Sequence, residues 1–248
     1  VSALLVALAA GAVIGLALGA LGGGGSVLAV PALIYLLDFT PAAATTASLV
    51  IVIATSATAL YGHARDGYVR WRTGALFAAA GLLPAILAGA ASDRLPQAAL
   101  TLAFAAVAVV AAARLLTPFA VDAGLHPVRP LRAGAAGAGL GAITGFLGVG
   151  GGFLAVPALV GVLGLRMRAA VGTSLLVITV NSVAALAART GTAGHLDWAV
   201  TGPFAGAAIL GAWDGKRLAA KVSGRFLQWI FACVLLAVAA FMATDVVL

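Results

Sequence analysis

The residues with the strongest claim to chemistry act through their backbone. They are Gly22, Gly23, Gly24, Gly25 and Ser26, and, in the second half of the chain, Gly148, Val149, Gly150, Gly151 and Gly152. Each cluster leads into a short apolar run containing the identical hexapeptide Leu-Ala-Val-Pro-Ala-Leu, at 28–33 and again at 154–159. A helix that starts straight after such a cluster presents unpaired N–H groups and about half a positive charge at its N-terminus. Glycines remove the side chains that would hold an oxyanion away from those amides. The amides of Gly22, Gly24, Gly25 and Ser26, with those of Gly148, Gly150, Gly151 and Gly152, therefore read as paired backbone cradles for an anion. Ser26 can serve as N-cap or as a ligand donor. Pro31 and Pro157, a few residues into the short runs, read as packing kinks rather than contacts.

A second polar layer lies in the next apolar segment of each half. Thr45, Thr46 and Ser48 fall in register with Val171, Gly172 and Ser174, with Thr173 beside Ser174, and Thr55 and Ser56 fall on Asn181 and Ser182. Thr46, Ser48, Thr173, Ser174 and Asn181 are the candidate side-chain donors, although a hydroxyl inside an apolar helix can equally bond the carbonyl one turn back. Asn181 stands out because an apolar crossing seldom carries an amide without a partner. No Asp, Glu, Lys, Arg or His falls near the centre of an apolar segment, so no proton relay, cofactor or metal site is expected. An intramembrane hydrolase with Ser26 as nucleophile lacks a base at its depth, which argues against an enzyme. His63, near a segment end, could titrate, but reads as structural.

These residues have to be positioned by apolar elements. The chain has 248 residues, 63% of them hydrophobic and 8% charged, with a mean hydropathy of +1.17. One soluble core cannot bury that much apolar surface, so an all-α integral membrane protein is expected. The net charge of +7 lies in short loops between apolar runs, the positive-inside pattern rather than a nucleic-acid footprint. Cys233 can form no internal disulfide.

Apolar segments fall at about 1–21, 26–37, 42–62, 74–91, 97–116, 133–147, 152–164, 169–188, 199–213 and 226–246. Segments 26–37 and 152–164 are short of the roughly 20 residues that a ~30 Å hydrocarbon core demands. Each half is thus expected to hold a glycine-broken re-entrant pair plus three transmembrane helices: repeat one is 1–116, 117–132 a cytoplasmic connector, and 133–248 repeat two. Equivalent loops carry opposite charge bias: Arg65, Arg70 and Arg72 against one Arg in 189–198, and the near-neutral 92–94 against Lys216, Arg217, Lys221 and Arg225. That reversal predicts two inverted repeats, with both termini outside a bacterial-type inner membrane. Trp71, Trp198, Trp213 and Trp229 fall at segment ends, as interface anchors do. No helix face stands out as a dimer seam, so a homo-oligomer stays open.

The duplicated Gly-x-Gly-Gly-x-x-x-x-Val-Pro-Ala-Leu element, Gly-Thr-Ser-Leu at 172–175, and the Gly-x-(Val or Leu)-x-Trp ends at 67–71 and 194–198 resemble the TauE/SafE family of sulfite and organosulfonate exporters, also called the toluene sulfonate uptake permease family. The resemblance covers essentially the whole chain. It implies transport of a small sulfur-containing anion such as sulfite, a sulfonate or sulfoacetate. Its usual Gly-Thr-Ser triplet stands in the second half, whereas the first reads Thr46-Ala47-Ser48. The expected function is a secondary transporter, an exporter, that holds its anion at the midplane of the bilayer by the amides of the paired glycine motifs and works in membrane lipid by rocking of the repeats; the alternative is a passive anion channel of the same fold.

Overall fold

The computed structural model describes residues 2–22, 24–92, 97–116, 130–146, 152–187 and 197–247. Among these residues every regular element is a helix: α1 (Ser2–Leu21), α2 (Gly24–Leu37), α3 (Pro41–Arg65), α4 (Trp71–Ser92), α5 (Gln97–Leu116), α6 (Pro130–Phe146), α7 (Gly152–Gly161), α8 (Met167–Ala187), α9 (Trp198–Lys221) and α10 (Gly224–Val247). The helices α1, α3, α4, α8 and α10 each hold a stretch long and apolar enough to cross a membrane. Bulky side chains such as Leu83, Ile86, Leu87 and Leu210 are exposed. In a bilayer these contact lipid at no cost, because the helices satisfy their own backbone hydrogen bonds.

The two short helices end alike. Asp38 (φ 54°) closes α2 and Gly164 (φ 65°) follows α7, and the next N–H groups, of Phe39 and Leu165, donate to the carbonyls of Leu33 and Leu159 at 3.0 Å each. Asp is among the few side chains that tolerate this left-handed conformation. The shared hexapeptide thus folds into the same terminated helix twice.

Packing pairs elements across the halves: α1 with α9, α4 with α6, α3 with α8 and α5 with α10. Glycines set the first two pairings. A Cβ on Gly11, Gly15 or Gly19 would strike the backbone of Phe204, Ala208 or Ala212, so α1 and α9 run parallel at backbone contact. Gly137 and Gly141 of α6 meet Phe77 and Gly81 of α4 in the same way. Small residues permit this approach where helices cannot gain from apolar burial alone. The α3–α8 pair runs the other way. Ser56 and Thr179 share a hydrogen bond at 2.9 Å, and His63 packs on Gly172, so residue numbers rise along one helix as they fall along the other.

Two boundaries differ from expectation. The helix after the first break starts at Gly24, so Ser26 is its third residue rather than its N-cap. The segment ending near 213 continues to Lys221, because Gly215 and Ala219 keep a buried face while Lys216, Arg217 and Lys221 project from the rest. Trp213 therefore lies inside α9 rather than at its end, whereas Trp71 and Trp198 do start helices.

Candidate functional site

The break between α1 and α2 is built around Gly22. Its N–H donates to the carbonyl of Leu18 at 2.8 Å, completing α1, and its φ of 68° then turns the chain. Only glycine takes this conformation without strain. Gly22 is buried against α8: a Cβ there would lie 2.5 Å from Ser174 Oγ and 3.2 Å from the Val171 carbonyl oxygen. The first half's glycine break and the second half's Gly-Thr-Ser segment are thus in direct contact. Gly24 and Gly25 continue into the first turn of α2, and Gly152 is the first residue of α7. Gly148, Gly150 and Gly151 lie outside the described residues.

The side-chain candidates separate. Ser174 is fully buried beside Gly22 and donates to the carbonyl of Val171 at 2.8 Å. Thr173 is buried too, but accepts from the N–H of Arg70 at 3.1 Å, which turns it toward the start of α4. Thr46 and Ser48 are buried near the opposite end of the α3–α8 pair; the antiparallel register puts Ser48 about 20 Å from the level of Ser174, at 1.5 Å per residue. Ser48 bonds back to the carbonyl of Thr45 at 2.9 Å. The described residues therefore do not gather these donors around Gly22 in one shell. Asn181 sits further along α8, with its Oδ1 buried and unpartnered; flipping the amide places an NH₂ donor at that position.

Beside the break, the ends of α3 and α9 and the start of α8 form a polar cluster that lines a cleft. The turn at Gly67 (φ 74°) ends α3: the N–H groups of Gly67 and Tyr68 return to the carbonyls of Ala64 and His63 at 3.0 and 3.1 Å. This leaves Asp66 at a helix C-terminus, where a negative charge is disfavoured. Lys216 of α9 compensates it, with Nζ 2.9 Å from Asp66 and 2.7 Å from the Gly62 carbonyl oxygen. His63, 5% exposed, bonds the Gly19 carbonyl through Nε2 at 3.2 Å; a carbonyl only accepts, so Nε2 carries the hydrogen. Its Nδ1 is buried without a partner. Arg168 donates to the carbonyls of Ala220 and Val222 at 3.1 and 3.3 Å and to Tyr68 Oη at 3.4 Å. Ala20 and Val171 complete the cleft wall, so it reaches the glycine break.

A family model described as "Sulfite exporter TauE/SafE" matches residues 7–242, from α1 into α10. The chain belongs to the TauE/SafE family. It is a multi-pass membrane transporter by that membership. It is also 32% identical, over 96% of its length and 94% of theirs, to two proteins each called "Probable membrane transporter protein", from Xylella fastidiosa strain 9a5c and strain Temecula1 / ATCC 700964.

In this TauE/SafE chain the cluster of His63, Asp66, Tyr68, Arg168 and Lys216 is not legible in the sequence, where His63 reads as structural and Lys216 as a loop charge. The one available signal was that α9 stays amphipathic through Gly215 and Ala219 beyond its apolar stretch. Lys216→Met should destabilise the protein by about 2 kcal/mol, since a charged hydrogen bond to a part-buried carbonyl is lost. Asp66→Asn should cost less than about 1 kcal/mol, because Asp66 is 43% exposed and its ion pair is solvent-screened. Thermal unfolding in detergent of the two single variants and the double variant measures this. Equal losses for the two single variants would contradict the assignment.

Proposed function

We propose that this protein is a secondary transporter that exports sulfite or a small organosulfur anion such as a sulfonate or sulfoacetate, and that backbone amides at the glycine breaks hold the anionic group. The observation that carries the reading is the contact between left-handed Gly22 and the Ser174 hydroxyl, which joins the two halves at a helix break. In lipid a break of this kind is tolerated where it is buried in protein or lines a polar cavity, and the cleft wall at Ala20 and Val171 adjoins it.

Two inverted repeats, 1–116 and 133–248 about the connector 117–132, are the architecture we infer. The antiparallel α3–α8 pair and the parallel α1–α9 and α4–α6 pairs are what a two-fold axis in the membrane plane produces. The end of α2 lies beside the start of α3, and α1 parallels α9, so each pair α1–α2 and α6–α7 enters and returns as a re-entrant unit. The basic end, with Arg65, Arg168, Lys216, Arg217 and Lys221, faces the cytoplasm, and both termini lie outside a bacterial-type inner membrane. Gly22, Gly24, Gly25 and Ser26 with Ser174 form the half-site nearer the cytoplasm, and Thr173, turned toward the start of α4, borders it. By the repeat, the amides of Gly148, Gly150, Gly151 and Gly152 are assigned to a second half-site, and Thr46, Ser48 and Asn181 are the further donors of the transport path.

Sulfite at ~100 times its dissociation constant should raise the stability of purified protein by about 2.7 kcal/mol, with chloride and phosphate inert. The measurement is thermal unfolding in detergent against sulfite, sulfoacetate, taurine, sulfate, phosphate and chloride. If every anion is inert, the breaks are packing features. Saturable, coupled flux in proteoliposomes separates the transporter from a passive channel.

A further inference from the structure

Among the described residues, the cleft at the basic end holds a guanidinium that has no carboxylate partner. Lys216 is matched by Asp66, but Arg168 bonds only neutral acceptors, the Tyr68 hydroxyl and the carbonyls of Ala220 and Val222. Those carbonyls close the C-terminus of α9, where a cation is favoured, so Arg168 also braces α8 to α9. Arg168 is the second residue of α8, in the first turn, where the helix dipole already places positive partial charge and disfavours a cation. The equivalent turn of the first half, Thr40-Pro41-Ala42, starts α3 without any base, so starting this helix does not require one.

The cleft also leads somewhere. Val171, one turn beyond Arg168, is both a wall of the cleft and the residue whose carbonyl and Cα abut Gly22. An anion drawn to Arg168 is therefore one helical turn from the glycine break. The Ala220 and Val222 carbonyls take both Nη2 hydrogens and the Tyr68 hydroxyl takes one from Nη1, so these contacts fix the guanidinium in place and leave an oxyanion its positive charge and the remaining Nε and Nη1 hydrogens.

We infer that Arg168, with Lys216 beside it, is the entry site for a small oxyanion at the basic end of the transporter, capturing the anion before it reaches the Gly22 break. This rests on the reading of the protein as an oxyanion carrier and adds the residue that captures the cargo. The same chemistry would attract a lipid headgroup phosphate, and the test separates the two.

Initial rates of radiolabelled sulfite movement are measured in proteoliposomes at low ionic strength, with sulfite presented at the basic end, for wild type, Arg168→Gln and Arg168→Lys. Arg168→Gln keeps a donor for the Ala220 and Val222 carbonyls but loses the charge. It should raise the half-saturating sulfite concentration about tenfold while the maximal rate stays within about twofold, a capture loss near 1.4 kcal/mol. Arg168→Lys should stay within about threefold of wild type, and raising the salt concentration should narrow the gap between wild type and Arg168→Gln. Unchanged half-saturation in Arg168→Gln overturns the proposal and leaves the residue to lipid phosphate. A fall in maximal rate alone, shared by both variants, overturns it in favour of a brace between α8 and α9. Should wild type move no sulfite, the export reading fails separately. The entry site is then decided by thermal unfolding in lipid-free detergent with sulfite and inorganic phosphate: an anion that stabilises wild type and not Arg168→Gln upholds it, and equal responses overturn it.

Discussion

Gly22→Val is expected to abolish the stabilisation of the protein by its anion and to reduce anion flux at least tenfold, while leaving a folded membrane protein. Two separate costs meet at this residue. The left-handed conformation at φ 68° costs an ordinary L-residue about 1–2 kcal/mol, and a β-branched one more. The new Cβ also lies 2.5 Å from Ser174 Oγ and 3.2 Å from the Val171 carbonyl oxygen, so α8 has to move away from the break. The two costs can be separated. Gly22→Ala combined with Ser174→Ala removes the hydroxyl that the Cβ would strike but keeps the backbone strain. If the close contact governs function, the double variant recovers part of the flux that Gly22→Ala loses. If strain alone governs it, the second substitution gives no recovery. Flux in proteoliposomes and anion-dependent unfolding in detergent read out both. Wild-type anion response in folded Gly22→Val would show that the break holds no ligand.

The largest loss of stability is expected from Gly15→Val. Its Cβ would collide with the Ala208 carbonyl oxygen and come within 2.6 Å of the Ala208 Cα, so the obstacle is backbone that no rotamer change can clear. Overpacking usually costs about 1–3 kcal/mol, and forcing apart the α1–α9 seam should reach the top of that range or exceed it. Gly11 and Gly19, one turn to either side, would lose their contacts with Phe204 and Ala212 at the same time. Gly139→Ala in α6 is the control: nothing lies within 4 Å of its added Cβ, so the substitution should be neutral or stabilise by up to about 1 kcal/mol. Thermal unfolding of both in detergent checks the contrast, and a neutral Gly15→Val would mean that α1 and α9 are not packed at backbone contact.

These two glycines, seven residues apart, illustrate what can be read from a chain of this composition. Gly22 and Gly15 each have a glycine 126 residues further on, at Gly148 and Gly141. Gly15 proved to be a packing residue on a straight helix, whereas Gly22 is a turn with a positive φ against Ser174. Spacing alone could not separate them, since a glycine that admits a neighbouring helix and a glycine that bends the backbone leave the same gap in the side-chain pattern. Likewise Thr46 and Ser48 shared a register with Gly172 and Ser174 and were expected in one shell with them. The antiparallel pairing set by Ser56 and Thr179 instead carries the two groups to opposite ends.

By itself the sequence determined the membrane environment, the helical class, the duplication and the family. These follow from quantities that are local along the chain: mean hydropathy, the length of apolar runs against bilayer thickness, and the repeated Leu-Ala-Val-Pro-Ala-Leu with its shared helix ending at Asp38 and Gly164. Only the tertiary structure decided that Gly22 meets Ser174, that Lys216 closes on Asp66 and Gly62, and that Arg168 stands in the cleft beside the break. Those contacts join residues far apart in the chain. They depend on the relative direction and register of packed helices, which small-residue seams fix to within one turn and which no local pattern of hydropathy or charge encodes.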